Sequence, residues 1–362
     1  MIKLNNQTKN KRTINLFNRT VVPVFFASDK NYIPYLDVAV QSLIDHSSTR
    51  NEYRIYVLTT DIEKEDFAHI KSYERENVKI ESVDVKDKIA VVRDKLALRD
   101  YFTEAIYFRL FIPTLFPNYK KAVYLDADIT LNDDIAKLYK QNLKNNNMAA
   151  ILDPTVYNNS DLIYYVREAL DVTEEEYFNS GVLVMNLEKF RKMDIENKFY
   201  DWVNDHSFGA VAPDQDFLNI TCQHKVLYVN KGWNAMPAGE ELTGKDLHLI
   251  HYNMFLKPWK HDNVMYEDYF WKYAKKSIYL DRILAEKAKR TEQDKLNDIK
   301  GCENLCKTAI EIVTSGQNYK NVVLKKKREL SIKTKPIINS NADIIEDLDL
   351  LPSLKKKEKP TT

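Results

Sequence analysis

The chain has 362 residues, 44% hydrophobic and 30% charged, which is the composition of a soluble protein with enough apolar material for a sizeable core. A formal net charge of +1 excludes the global basic field of a nucleic-acid binder, and seven glycines, none in G-x-G-x-x-G or a P-loop, exclude those phosphate cradles. Three cysteines (Cys222, Cys302, Cys306) make no disulfide framework, the first 20 residues lack an apolar signal core, and no stretch approaches the ~20 apolar residues of a membrane span, so a cytoplasmic location is expected.

Residues 1–20 read as a polar leader. "VVPVFFAS" (21–28) is a continuous apolar run, the mark of a strand buried on both faces, and Leu36, Val40, Leu43 and Ile44 then fall at helical spacing. "RIYVLTT" (54–60) predicts a second strand, 62–75 a helix and "VKIESVDV" (78–85) a third strand. Thr103 is placed to cap a helix over "EAIYFRLFIPTLF" that ends before Pro117. "AVYLDADIT" reads as the next strand and "MAAILD" (148–153) as another. This alternation predicts an α/β fold with a Rossmann-like, mostly parallel sheet flanked by helices. After about residue 280 the sequence turns helical and charged. Residues 281–362 hold 18 Lys/Arg against 13 Asp/Glu, a net +5 that leaves −4 on the rest. The expected division is therefore a catalytic domain over 21–277 and a helical, basic, partly disordered extension over 278–362.

Ligands of such sheets sit at the carboxyl ends of the strands. Asp29, the Asp126/Asp128 pair and Asp153 all close strands and gather on that rim. A single Asp there is usually a cap or turn former. Asp133 and Asp134 fit that description, as acids of a helix start. Two carboxylates at i and i+2 point the same way and repel, and chelation of one hard or borderline divalent cation removes the repulsion. His251 ends a short apolar strand, and an imidazole tilts the choice from Mg2+ towards Mn2+. His248, three residues away, faces the other side and reads as a core residue. Lys257 offers an ammonium to phosphate oxygens. Asn179, Ser180 and Gly181 form a polar, tight-approach corner just before a buried strand, which is also readable as a turn closed by Gly181. Asp214, Gln215 and Asp216 open a helix, either as caps or as acceptors for sugar hydroxyls.

The segments "VFFASDKNYIPYLDVAVQSL", "AIYFRLFIP", "VYLDADI", "FNSGVLVMNL", "PDQDFLN" and "HYNMFLKPW" jointly resemble, in order, the motif set of the family-8 glycosyltransferases. That family comprises retaining, Mn2+-dependent enzymes of the GT-A fold, among them bacterial lipopolysaccharide galactosyl- and glucosyltransferases and glycogenin. The resemblance covers roughly 21–262. It implies that Asp126, Asp128 and His251 hold Mn2+, with Mg2+ as the alternative, and that the metal bridges the diphosphate of a UDP-sugar. It implies a uridine pocket of Ala27, Asp29, Asn31 and Tyr32, with Tyr32 stacking on uracil, and a diphosphate contact from Lys257. Arg109, Asp153, Asn179, Asp214 and Gln215 match donor-sugar positions, with Ser180 beside them.

One departure stands out. His251-Tyr252-Asn253-Met254 replaces the family's His-Tyr-x-Gly, so Met254 occupies the place of the glycine that approaches the phosphates. The expected reaction is transfer of galactose or glucose to a saccharide, glycolipid or glycoprotein hydroxyl, by front-face attack in the absence of an evident nucleophile. Gln215 and Asp214 would stabilise the electron-poor anomeric carbon. The alternatives are a metal-dependent nucleotidyltransferase or nucleotide-sugar hydrolase, and a glycogenin-like self-glycosylating protein. The basic clusters at 324–335 and 354–359 suggest peripheral contact with an anionic membrane. Cys302 and Cys306, at i and i+4, read as ordinary helix packing.

Overall fold

The computed structural model describes residues 19–96, 103–205 and 208–324. The first apolar run forms β1 (Thr20–Ala27), whose last six residues are buried. Its side chains alternate between the two sides of the sheet. Val24 and Phe26 join one apolar layer with Leu36, Val40, Val123 and Leu125, while Phe25 joins the other with Phe108, Tyr124 and Leu183. A strand covered on both faces needs no polar alternation, which is why the run reads as continuous.

β2 (Asn51–Thr59) and β3 (Val78–Asp84) follow, then β4 (Lys121–Leu125), β5 (Ile129–Leu131), β6 (Met148–Leu152), β7 (Phe178–Asn186), β8 (Val226–Tyr228) and β9 (Leu249–His251). The main sheet has the order β3-β2-β1-β4-β7-β6-β8, and β5 pairs with β9 in a separate two-stranded sheet. β1 pairs parallel with β2 and β4, β2 with β3, and β6 with β8, whereas β7 is antiparallel to both its neighbours. The mostly parallel α/β sheet expected from the sequence is therefore present, with one strand reversed. That reversal positions the site, because the start of β7 comes to the same rim as the ends of β4 and β6.

Two local expectations are corrected. "AVYLDADIT" is two strands rather than one. The ladder of β4 with β7 ends at Leu125↔Val182, and the next residue, Asp126, donates its N–H to Gly181 O at 2.8 Å. The chain then leaves the main sheet and resumes as β5 against β9. Asp126-Ala127-Asp128 is the link between two sheets. The Asn179-Ser180-Gly181 corner is likewise no turn: these are the second to fourth residues of β7, and Gly181 has no left-handed φ.

Thr103 caps its segment through Ala105 N as expected, but the segment begins as a 3-10 helix, Glu104–Phe111, and runs into a short α-helix, Ile112–Leu115. Beyond residue 277 lie helices Leu280–Ala288 and Glu292–Ser315, the second opened by a capping box at Thr291 and closed by Gly316 at φ 71°. The second helix packs Leu305, Ala309 and Ile312 onto Leu162, Tyr165 and Val166 of the Ser160–Ala169 helix. Cys306 lies here and accepts a hydrogen bond from Asn159, while Cys302 is exposed. The leader up to residue 18 and the basic clusters from residue 325 on lie outside the described residues. Among the described residues no helix is long and apolar enough to cross a membrane.

Candidate active site

A cavity of about 590 Å3 opens on the rim where β1, β4 and β6 end and β7 begins. Ala27, Asp29, Asn31, Tyr32, Arg109, Asp126, Asp128, Asp153, Asn179, Ser180, Asp214, Gln215, His251 and Lys257 all line it. Residues more than 200 positions apart in sequence thus meet in one chamber, and of the residues picked from the sequence for metal, nucleotide or sugar only Asp216 falls outside it.

The metal-type donors form a tight group. One ligand atom each from Asp126, Asp128 and His251 lies within 4.8 Å of the others. His251 Nε2 is 3.2 Å from Asp128 Oδ1 and 3.7 Å from Asp126 Oδ2. Two carboxylate oxygens and one imidazole nitrogen facing one point suit a divalent ion of the Mn2+ type. Gly181 makes this approach possible: a Cβ there would stand 2.3 Å from His251 Cε1 and 2.6 Å from Asp126 Oδ2.

Each carboxylate has a cation beside it. Arg109, buried, donates from Nη2 to Asp126 Oδ1 at 2.9 Å, from Nη1 to Ser180 O, and stacks over Tyr124 at 4.3 Å. Lys257 donates to Asp128 Oδ2 at 2.5 Å and to Tyr252 O at 2.6 Å. Burial works against ionisation of Asp128, but Lys257 and then His251 overcome it and hold the carboxyl well below the usual range. Lys257 also stands 5.8 Å from the Tyr32 ring and 5.3 Å from that of Trp259, which stacks on Tyr35 at 4.1 Å.

Asp153, Asn179, Ser180, Asp214 and Gln215 form a closed amide–carboxylate cluster. Asp153 caps the turn Pro154–Tyr157 through Thr155 N at 2.9 Å, and its other oxygen accepts from Gln215 Nε2 at 3.0 Å and Asn179 Nδ2 at 3.2 Å. Gln215 Oε1 accepts from Ser180 N at 2.9 Å. Asp214 accepts from Ser180 Oγ at 3.0 Å and lies 3.4 Å from Arg109 Nε; burial raises its carboxyl despite the Arg109 charge. At the opposite end Asp29 Oδ1 accepts from the N–H groups of Asn31 and Tyr32 at 2.8 and 3.0 Å.

Asp216 does not join this set. Its carboxylate accepts from the hydroxyls of Tyr165 (2.7 Å) and Tyr177 (2.6 Å) and from the N–H groups of Val211 and Ala212, so it fixes the start of the Pro213–Cys222 helix. Burial pushes it up to about 6 from an ordinary 3.8, against the pull of those donors. A carboxyl raised in the folded state binds its proton more tightly there than in the unfolded chain. Stability then falls as pH rises from about 4 to about 6. Urea unfolding across that window should show the decline, and Asp216→Asn should flatten it; an equal slope in the variant contradicts the assignment.

Outside the metal group, His248 is half-buried rather than in the core, stacked on Trp233 and 3.0 Å from Asp133 Oδ2. Asp134 accepts from Ala136 N at 2.9 Å, the helix-start role expected of it. Met254 adopts φ 55°, the left-handed geometry a glycine would take, and its side chain packs against the cluster containing Leu305. Two pocket residues and one partner of His251 carried no signal in the sequence. Arg282 and Glu286 of the Leu280–Ala288 helix line the cavity, and Arg282 donates to Asn31 O at 3.2 Å. Asn234 is the third and binds His251; its "WN" context between two short strands resembles any turn.

The sequence of residues 23–263 matches the model of Glycosyl transferase family 8. The chain belongs to this family. It is 28% identical over 223 residues to a putative glycosyltransferase of Haemophilus influenzae, covering 61% of this chain and 66% of that protein. It is 24% identical over 280 residues to a lipopolysaccharide 1,2-glucosyltransferase of Escherichia coli, covering 72% of this chain and 80% of that one. The galactosyltransferase LgtC, solved with donor and acceptor sugar analogs, superposes with a TM-score of 0.59 at 25% identity, over 71% of this chain and 96% of LgtC. The bifunctional glycosyltransferase WbbM shares the fold at a TM-score of 0.62 and 23% identity, and the chain spans 52% of it. The fold is the GT-A fold of family-8 glycosyltransferases.

Proposed function

We propose that this glycosyltransferase moves galactose or glucose from a UDP-sugar to a hydroxyl of a saccharide or glycoconjugate, with retention and with Mn2+ as the metal. The observation that carries this reading is the convergence of Asp126, Asp128 and His251 in the chamber that also holds the Asp153–Asn179–Gln215 cluster. A metal held there supplies Lewis-acid neutralisation of the departing diphosphate. Lys257, already paired with a ligating carboxylate, adds a cation beside that anion, and Tyr32 with Asp29 and Asn31 receives the base. Asp153, Asn179, Ser180, Asp214 and Gln215 take the hexose hydroxyls, with Arg109 holding Asp126 and Asp214 in place.

Retention fits front-face attack. Gln215 is an amide, and the Asp214 carboxylate is engaged by Arg109 and Ser180, so neither is a free nucleophile. The acceptor proton passes to the leaving phosphate as the new glycosidic bond forms. The proposed catalytic domain spans 21–277, with 278–362 as an extension whose two described helices pack back on the body and add Arg282, Glu286 and Leu305 to the cavity wall.

UDP release from UDP-galactose, UDP-glucose and UDP-N-acetylglucosamine, with and without Mn2+ and an added saccharide acceptor, tests the reading. Release that needs both Mn2+ and acceptor is expected from one of the two hexose donors. Acceptor-independent release points instead to a nucleotide-sugar hydrolase, and a mass increase of the protein itself to self-glycosylation.

A further inference from the structure

We infer that Asn234 is a positioning residue that commits His251 to present Nε2, and not Nδ1, to the metal. This inference rests on the metal site proposed above. It starts from a donor of fixed identity, the backbone N–H of Gly181, which donates to Asn179 Oδ1 at 3.0 Å. That bond fixes the Asn179 amide. Its Nδ2 must then be the group facing Asp153 Oδ2 and Gln215 Oε1, each at 3.2 Å, and both of those are acceptors. Asn179 Oδ1 takes a second bond at 3.0 Å from Asn234, so the Asn234 atom there is its donor, Nδ2. The remaining atom of that amide, Oδ1, accepts only. It lies 3.0 Å from His251 Nδ1, which must therefore carry a proton.

The relay reads Gly181 N–H, Asn179, Asn234, His251, and every member is buried. With Nδ1–H committed to Asn234, Nε2 is the ring nitrogen left to bind a metal. Nε2 is also the atom facing Asp126 and Asp128. A metal-ligating histidine needs such an outer partner to hold its tautomer and ring angle, and loss of the partner typically costs 10–100-fold in metal affinity. The relay also joins the metal site to the amide–carboxylate cluster, because the amide that orients His251 through Asn234 is the one that binds Asp153 and Gln215.

The probe is Mn2+ alone, titrated into the metal-free full-length chain and followed by the free-ion electron paramagnetic resonance signal. Asn234→Leu removes the acceptor while keeping the heavy-atom count and branching of the side chain, and should raise the Mn2+ dissociation constant about 10–100-fold. Asn234→Asp keeps an oxygen facing Nδ1–H and should stay within a few-fold of wild type, although it can no longer donate to Asn179. A third measurement needs no variant: spin-echo spectroscopy of Mn2+-loaded wild type carrying histidine labelled with 15N at Nε2 alone should show the coupling of a directly bound nitrogen. Equal affinity in wild type and Asn234→Leu, an Asp variant as weak as the Leu variant, or direct coupling from Nδ1 each overturns the inference and leaves the metal site standing. Wild type that binds no Mn2+ removes the metal site itself.

Discussion

Asp128→Ala is expected to cut the proposed Mn2+-dependent UDP release by about 10³-fold or more and to weaken the fold. The carboxylate has two partners. Oδ1 faces His251 Nε2 at 3.2 Å, and Oδ2 holds the Lys257 ammonium at 2.5 Å. Loss of a metal ligand removes several kcal/mol of charge stabilisation at the diphosphate, and each 1.36 kcal/mol is tenfold in rate. Loss of the ion pair leaves Lys257 buried with only the Tyr252 carbonyl, and breaking a buried pair from one side costs about 3–5 kcal/mol. Asp128→Asn separates the two effects. An amide oxygen still faces Lys257, so stability should recover much of the loss while activity stays low. Activity within tenfold of wild type in both variants would show that Asp128 is no metal ligand.

Gly181→Ala is the second large effect, and its sign is diagnostic. Gly181 lies inside β7 with ordinary strand geometry, where alanine normally stabilises by about 0.4–1 kcal/mol through the unfolded chain. Here the added methyl meets His251 Cε1 at 2.3 Å and Asp126 Oδ2 at 2.6 Å. The two ligands must move apart. Overpacking of this kind costs about 1–3 kcal/mol, and an ångström of misplacement costs about 10²-fold in rate. The expected result is a folded but less stable protein whose Mn2+ affinity and turnover both fall by at least tenfold. A stabilised variant with normal Mn2+ affinity contradicts the close approach.

What could be read from the sequence was what is chemically out of place. An Asp pair at the end of an apolar strand and a histidine at the end of another each violate local expectation, and the fold brings them together. The orientation of β7 was hidden, because a buried strand has the same apolar run whichever way it points. The break after Leu125 was hidden too, since it depends on where the partner strands stop. Gly181 could be read as a close-approach glycine or as a turn, but what approaches it could not be read: its need for a bare Cα comes from a histidine 70 positions away. Arg282 and Glu286 reach the cavity, and Asn234 reaches His251, only through tertiary packing, and no spacing rule connects them to the motifs. Met254 shows the opposite case, a residue that departs from the motif and keeps the left-handed backbone, φ 55°, that the motif's glycine would supply.

The proposed metal and donor site is split between the β4–β5 link and β9. Its most direct test is an anomalous difference map at the manganese edge from crystals of the full chain grown with MnCl2 and UDP. The split-site assignment predicts one strong peak bonded to Asp126, Asp128 and His251 Nε2, with the UDP diphosphate bound to the same ion and uracil against Tyr32. UDP bound with no manganese at these three residues, or manganese bound elsewhere in the chamber, would contradict it.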